Sequence, residues 1–199
     1  MIECDQIEYE SLSREVWHRL HAAADDPSHP MRLLTLATID DQGRPDARIL
    51  VLRGADCLLR CLWFHTDARS AKVKELANFP FACAIGYDSR DGVQLRIRGN
   101  VKLHRDCELA ERHWEQTDFH VRHAYAVPSK PGEPLSRPDP LMRLHRDQLA
   151  AGDLAQARRN FAVIELVISE IEWLQVSDVG DRRAVMRAAD GWKITPLAP

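Results

Sequence analysis

The sequence lacks several features that would place it in a large and familiar class of proteins. No stretch approaches the roughly 18 consecutive apolar residues of a membrane-spanning helix. With 27 lysines and arginines against 30 acidic residues, the net charge of −3 argues against a general nucleic-acid binder. Glycine is scarce, at nine residues, and neither G-x-G-x-x-G nor G-x4-G-K-[ST] occurs. Any phosphate site must therefore be built from side chains.

Cysteine and histidine patterns exclude two further kinds of site. The five cysteines are odd in number, and the closest pair, Cys57 and Cys61, would lie about 13 Å apart on a strand, too far for a disulfide. Buried, reduced thiols are expected, as in a cytoplasmic protein. The histidines, among them His120 and His123, have no ligand pattern that suits zinc, so no metal site is expected. The acidic first twelve residues lack an apolar core, so no signal peptide is expected.

Length and patterning predict a single, mainly β domain over residues 1–199. Residues 1–30 are expected to be a helical extension, with a helix over Glu10–Ala24. The five prolines of residues 127–141 predict a loop or arm. Alternating apolar residues in between predict seven or eight strands, several joined by hairpins. Without a βαβ rhythm, a small antiparallel barrel with peripheral helices is favoured over a doubly wound sheet.

Three predicted strands bear on function. Arg44–Arg53 is expected to turn at residues 54–56 into the strand Leu58–His65. Val93–Leu103 alternates, so one face packs in the core and the polar face meets either a ligand or solvent. Phe161–Trp173 is predicted to be the longest strand, with its odd-numbered residues from 163 to 173 on one face.

Four separated segments then carry a resemblance to a known family: RILVLRG (48–54), HTDARSAK (65–72), QLRIRGNV (94–101) and EWLQVSDVGDRR (172–183). In this order they resemble the pyridoxamine 5′-phosphate oxidase superfamily, over about residues 32–199. The resemblance implies a split antiparallel β-barrel with peripheral helices. It also implies a homodimer that binds FMN at the subunit interface.

The resemblance assigns a set of positions to the FMN site. Arg48 opens a strand and contacts the phosphate, and the backbone that follows lines the isoalloxazine ring. Ala71 stands where the family has an arginine, for which Arg69 is the expected replacement. The full set is Arg48, Ile49, Leu50, Val51, Leu52, Arg53, His65, Thr66, Arg69, Ser70, Lys72, Gln94, Trp173 and Arg183.

Charge and strand geometry agree with this assignment. The FMN phosphate carries about two negative charges, for which Arg48 and Lys72 supply charge-assisted donors. Arg48 and Arg53 are five positions apart, so they face opposite sides of a regular strand and cannot grip the same phosphate. Arg53 is therefore either an anchor for an anionic second ligand or a surface arginine.

Other positions depart from the oxidase. Val179 and Asp181 replace the arginine and histidine that orient its substrate, and only His113, Gln116 and His120 fall near the residues that hold the substrate phosphate. The FMN site is expected to be kept and the pyridoxamine phosphate site to be lost. Three functions stay open: an FMN-dependent oxidoreductase of an unknown small molecule, a non-catalytic flavin binder, or a haem-binding barrel. His65 is the candidate acid or base.

Overall fold

The computed structural model describes residues 2–135 and 151–199. Eight strands form one antiparallel sheet in the order β3-β2-β1-β4-β5-β6-β7-β8. Pairing of β3 with β6 closes the first six strands into a barrel. The predicted mainly β fold with an antiparallel barrel is confirmed. Among the described residues, no helix is long and apolar enough to cross a membrane.

The elements follow the predicted order with boundary shifts of a few residues, except that the N-terminal helix begins at Ile2 rather than at Glu10. The strands are Leu33–Ile39 (β1), Pro45–Asp56 (β2), Cys61–Asp67 (β3), Phe81–Asp88 (β4), Val93–His104 (β5), Phe161–Gln175 (β6), Arg182–Arg187 (β7) and Ile194–Leu197 (β8). The helices are Ile2–Asp25 (α1), Ala71–Asn78 (α2), Glu108–Gln116 (α3), Phe119–Arg122 (α4) and Ala151–Asn160 (α5). The proline-rich arm is described as far as residue 135, where it is irregular. The sequence also predicts a helix over Leu144–Ala157; its second half lies in α5, and residues 144–150 lie outside the described residues.

Alternate side chains of the strands fill the barrel. The interior residues below 2% exposure include Leu34, Leu52, Phe64, Leu95 and Ile97. Helix α1 packs on β2 and is also buried along one side. Each fully buried aliphatic side chain contributes about 1.5–3 kcal/mol, so this single cluster supplies most of the stability.

A β-bulge in β6 breaks the predicted alternation. The β5–β6 register shifts between Arg98 and Gly99, so Ser169 is an extra residue in β6. Core residues of β6 are consequently even-numbered before the bulge and odd-numbered after it. The prediction that odd-numbered residues over 163–173 share one face is wrong, because a bulge inverts the pleat. Glycine is required at position 99, where a Cβ would lie 2.1 Å from the Val167 carbonyl oxygen.

A second, smaller cluster covers the outer face of β3 and β6. Helices α3 and α5 and the turn at His123–Tyr125 supply its side chains, and Phe161 and Val163 of β6 lie beneath them. Outward-facing residues of β3, such as His65, are thereby enclosed between the barrel and these helices.

A buried carboxylate ties α1 to the β4–β5 turn. Asp88 is fully buried and pairs with Arg90 at 2.8 Å and with Arg19 of α1 at 3.2 Å. Hydrogen bonds from Arg90 hold the pKa of Asp88 down, at about 2. This carboxylate therefore remains ionised in the folded protein at neutral pH.

Four of the five cysteines have described side chains, and all four are free thiols. Cys61 is buried, and Cys57 and Cys83 are partly buried. Cys107 is exposed, because it occupies the N-cap of α3. The expectation of buried thiols is therefore wrong for Cys107.

Candidate functional site

Arg48 lies at one end of the barrel, opposite the interior residue Leu36. Its guanidinium donates to Glu75 at 2.9 Å and to Asp46 at 2.6 Å, and it also contacts the Thr38 hydroxyl. Glu75 is itself buried, and it accepts a hydrogen bond of 2.5 Å from Thr38. Two carboxylates thus fix Arg48 and compensate its charge.

Lys72 lies beside this group without a direct partner in the described part of the chain, although the carboxylates of Glu75, Asp67 and Asp46 are close enough to oppose the lowering of its pKa. Among the described residues, none is hydrogen-bonded or ion-paired to its ammonium group. Burial lowers the pKa of Lys72, and the nearby charge of Arg48 lowers it further. A partly buried cation without an acceptor is costly, so an added anion would be favoured here.

The N-terminus of α2 lies at the same position, because Lys72 belongs to the first turn of this helix. Ser70 is the N-cap, but its hydroxyl donates to the Asp67 carbonyl at 2.7 Å and makes no capping bond. The Thr66 hydroxyl lies 3.3 Å from it. The first-turn N–H groups of α2 therefore lack a side-chain acceptor, which is the arrangement that binds anions at helix N-termini. The sequence predicts a helix over Ser70–Ala77, but it does not predict that the backbone N–H groups at its start take part in the phosphate site.

Arg69 does not join the cluster around Lys72. It pairs with Asp67 at 2.7 Å and donates to the carbonyl oxygens of Val127 and Pro128, at 2.9 and 3.0 Å. Its role in the structure is to hold the start of the arm. It does not replace the arginine that is absent at Ala71.

Arg53 belongs to a second polar cluster, on the outer side of the barrel. It sits at a bulge of β2, between Leu52 and Gly54. Its Nε atom is buried and has no hydrogen-bond partner in the described part of the chain. Its charge lowers the pKa of His65 and opposes the rise in that of Tyr125, so the three side chains are neighbours. Arg48 and Arg53 thus lie in different clusters, as their spacing predicts.

His65 is enclosed in a chain of hydrogen-bonding groups. Its Nε2 lies 3.0 Å from Nδ1 of His113, and its Nδ1 lies 3.4 Å from the Thr117 hydroxyl. Burial first, and then the charges of His113 and Arg53, lower the pKa of His65 to about 3. The imidazole is therefore neutral at physiological pH, and it would exchange protons through the hydrogen bond to His113.

The strand between the two arginines contributes to both sides of the sheet. Leu52 is buried in the barrel core, and Leu50 packs against that core. Ile49 is 65% exposed, and Val51 is partly exposed. The outward-facing residues of β2 therefore border open space.

Two other predicted FMN residues lie elsewhere in the same chain. Gln94 of β5, Leu174 of β6 and Arg183 of β7 form one row across the sheet, and Arg183 pairs with Glu172 at 2.6 Å. Strand β5 is three strands from β2, about 14 Å across the sheet. A single chain consequently does not bring Gln94 and Arg183 to Arg48.

Trp173 and Arg183 also lie on opposite faces of the sheet. Trp173 is 3% exposed and packs in the core. The arginine over its ring is Arg182, with Cζ 5.6 Å from the ring centroid. Neighbouring residues on β7 alternate between faces, which is why Arg182 rather than Arg183 meets Trp173.

The positions that depart from the oxidase are mostly solvent-exposed. Val179 is 99% exposed, and Asp181 lies in the same exposed turn before β7. Gln116 and His120 are exposed as well. His113 differs, because it is partly buried against His65. Within the described residues, no group of three or more histidine, cysteine or carboxylate side chains is arranged to hold a metal.

An apolar strip runs over the outer face of β1, β2 and β4. Thr35 of β1 pairs with both Ile49 and Ile85, which places those two isoleucines on the same face. Leu33 and Tyr87 continue the strip, each at 54% exposure. Contiguous exposed apolar surface of this kind marks an interaction site.

Comparison with known proteins identifies the family. Residues 14–105 match the family model described as pyridoxamine 5′-phosphate oxidase, FMN-binding domain. A pyridoxine/pyridoxamine 5′-phosphate oxidase from Burkholderia mallei is 31% identical over 194 residues, which cover 93% of this chain and 86% of that protein.

Two solved structures share the fold. A pyridoxamine 5′-phosphate oxidase-related, FMN-binding protein from Nostoc punctiforme has a TM-score of 0.72 at 22% identity, covering 93% of this chain and 96% of that one. PhzG from Burkholderia lata, in complex with tetrahydrophenazine-1-carboxylic acid, has a TM-score of 0.69 at 21% identity. The two chains are covered to 85% and 83% respectively.

The geometry around α2 fits the phosphate of FMN. The ammonium of Lys72 lacks an acceptor, and the open first turn of α2 lies beside it. A phosphate dianion would compensate that charge and accept hydrogen bonds from those N–H groups. FMN is the cofactor that these matches indicate. The chain belongs to the pyridoxamine 5′-phosphate oxidase family of FMN-binding split-barrel proteins.

Proposed function

We propose that this protein is an FMN-dependent oxidoreductase that acts, as a homodimer, on a small anionic molecule. FMN supplies hydride transfer when it is bound, and the chain supplies binding, orientation and shielding from water. The observation that carries the proposal is the Lys72 ammonium, which lies beside the open end of α2 and has no direct hydrogen-bond or ion-pair partner among the described residues.

The phosphate grip follows from this geometry. Lys72 and the α2 N–H groups meet the phosphate directly, and Ser70 and Thr66 add hydroxyls at the same helix end. The guanidinium of Arg48 is held in place by its hydrogen bond to Glu75. The backbone of residues 49–52 is assigned to the ring of the flavin, as the family resemblance implies.

A second copy of the chain would complete the site. Gln94 and Arg183 lie on β5 and β7, in a row apart from Arg48, and we assign them to the FMN of the partner because the resemblance implies FMN at the subunit interface. The apolar strip that includes Ile49 and Ile85 supports this arrangement, because it borders the FMN strand β2. Burial of such a strip is what a stable dimer needs.

Size-exclusion chromatography with light scattering tests the dimer. Ile49→Asp places a charge in the strip and should yield monomers with weakened FMN binding. Leu58→Asp is the matched control, because Leu58 is 88% exposed in the β2–β3 turn, outside the strip. A dimeric Ile49→Asp variant with full FMN binding would contradict the proposed interface.

Arg53 is the proposed anchor of the second ligand. Its buried Nε atom has no hydrogen-bond partner among the described residues, and the neutral His65 beside it adds no competing positive charge. The related PhzG was solved with a carboxylic acid, and a carboxylate suits a guanidinium with a free donor. Val179 and Asp181 do not supply the oxidase's arginine and histidine, which favours a substrate other than pyridoxamine phosphate.

Anaerobic reduction tests the activity. The purified protein should be yellow, and small carboxylic acids with oxidisable rings, or NAD(P)H as electron donor, should bleach its flavin absorption. Arg53→Ala should raise the concentration of anionic donor needed for half-bleaching and leave the absorption spectrum intact. An FMN-loaded protein that no donor bleaches would instead be a flavin store or sensor.

A further inference from the structure

A second group of reactive side chains lies at the β5–α3 junction. The Cys107 thiol is 3.8 Å from Nδ1 of His104, and Nε2 of His104 is 2.7 Å from a Glu165 oxygen. The thiol is exposed, whereas the other two side chains are largely buried, at 21% and 13% exposure. The three side chains thus form a connected group in space: a thiol nucleophile, an imidazole base and a carboxylate that orients the base.

Hydrogen-bond chemistry fixes the roles of the two imidazole nitrogens. An ionised carboxylate only accepts, so Nε2 of His104 carries the proton that is donated to Glu165. The lone pair of Nδ1 then faces Cys107 and is placed to accept the thiol proton. Cys107 also caps α3 without a side-chain capping bond, so its sulfur lies at the positive end of that helix.

The other described thiols are in unreactive surroundings. Burial raises the pKa of Cys61 to about 12 and also raises that of Cys83. Cys57 is partly buried and has no histidine bonded to it in the described residues. Cys107 is therefore the one of these four thiols that combines access with a base.

An open concavity of about 450 Å³ surrounds Cys107. Its charged lining is mixed: Asp106, Glu108, Glu111, Arg158 and Arg159. Arg158 and Glu111 of this lining already pair at 2.8 Å, so Asp106, Glu108 and Arg159 are the charges that would meet a ligand with both ammonium and carboxylate groups. Lys102 and the Cys61 thiol near Glu165, and His113 near His104, are the other charged or titratable groups of the described chain that face the cluster.

We propose that Cys107, His104 and Glu165 form a thiol-exchange site that takes small disulfides bearing ammonium and carboxylate groups. His104 accepts the thiol proton, and the Cys107 sulfur attacks one sulfur of the disulfide. The disulfide bond of the small molecule breaks as the new sulfur–sulfur bond forms. The leaving thiolate takes the proton from His104, so the protein thiol is oxidised and one half of the disulfide is reduced.

Oxidised glutathione is the probe, with intact-protein mass spectrometry and peptide mapping as the readout on the FMN-loaded protein. The wild type should gain one glutathionyl group, at Cys107. Modification of Cys107→Ser should be much slower. His104→Gln should slow the reaction by about tenfold or more, at the low end of what a general base contributes. Glu165→Gln should slow it less, because the imidazole loses only its orienting partner. Cys83→Ser is the control and should react as the wild type does.

A pH profile separates chemistry from loss of structure. Without a base, the rate should climb with pH as an ordinary thiol ionises, so His104→Gln should be slowest relative to wild type near neutral pH. The two rates should converge above about pH 9. Circular dichroism must show that each variant is folded. Equal rates and equal pH profiles for wild type and His104→Gln, or first modification at Cys83 or Cys57, would overturn the proposal.

Discussion

Two charged clusters of this protein are built in opposite ways. Asp88 is fully buried, and two arginines satisfy it, from α1 and from the β4–β5 turn. Lys72 is partly buried and has no partner among the described residues. The charges of the first cluster stabilise the fold, whereas the charge of Lys72 is available to the proposed FMN phosphate. Burying a charge without a partner destabilises a fold, so a partly buried lysine without a direct partner indicates a binding role.

The largest effect is expected at the paired cluster. Asp88→Asn leaves Arg19 without its buried carboxylate and should lower the free energy of unfolding by about 3 kcal/mol, as for other broken buried pairs. Urea denaturation measures this loss. Asp91→Asn is the matched control, because Asp91 also pairs with Arg19 but is half-exposed, and it should cost less than about 1 kcal/mol. Equal losses would mean that burial does not set the strength of the pair.

The unpaired cluster should show the reverse pattern. Lys72→Ala should weaken FMN binding by about 1.5–3 kcal/mol, about 10- to 150-fold in Kd, and leave the stability of the apoprotein unchanged or higher. Flavin fluorescence titration measures the affinity. Lys74→Ala is the control on the same helix, because Lys74 is exposed and pairs with Asp41. A loss of apoprotein stability in Lys72→Ala would show that the charge has a structural partner.

Lowering the pH should reduce the folding stability through Asp88 of the paired cluster. The folded-state pKa of Asp88 is lowered to about 2, below its value in the unfolded chain, so its stabilisation is present above about pH 4 and is lost as pH falls toward 2. The wild type should therefore lose stability between about pH 4 and 2 more steeply than Asp88→Asn does. Thermal unfolding over that range measures the slopes. Parallel slopes would assign the acid sensitivity to other carboxylates.

The smallest effect on FMN is expected at Arg53. It belongs to the cluster with His65 and not to that of Lys72, so Arg53→Ala should change the Kd of FMN by less than about threefold. The same titration measures it. A loss as large as that of Lys72→Ala would place both arginines of β2 at the phosphate and would contradict the separation seen in the structure.

Local patterns predicted most of the barrel. The alternation of β5 gave its buried and polar faces, since each pleat repeats every two residues. The bulge at Ser169 was not predicted, because it depends on the close approach of Gly99 to a carbonyl oxygen on another strand. The β2–β3 turn also lies later than predicted, because β2 continues through a bulge at Arg53 to Asp56.

The candidate site was predicted in part. Arg48 and Lys72 were chosen by resemblance, and the structure places them side by side. Arg69 was expected beside them and instead holds the arm, a partner 58 positions away that no local pattern reveals. Glu75 was not singled out, because its contact with Arg48 depends on how α2 docks against β1.

Closure of the barrel has a consequence for how copies of this chain meet. Strands β2 to β6 are each flanked by neighbours, so the sheet ends at β8, which is four residues long and contains Pro196. A short strand with a proline is a poor template for edge-to-edge β-aggregation. Open-ended stacking of copies through this edge is thereby disfavoured, and the broad sheet surface with Ile49 and Ile85 is left for the proposed dimer.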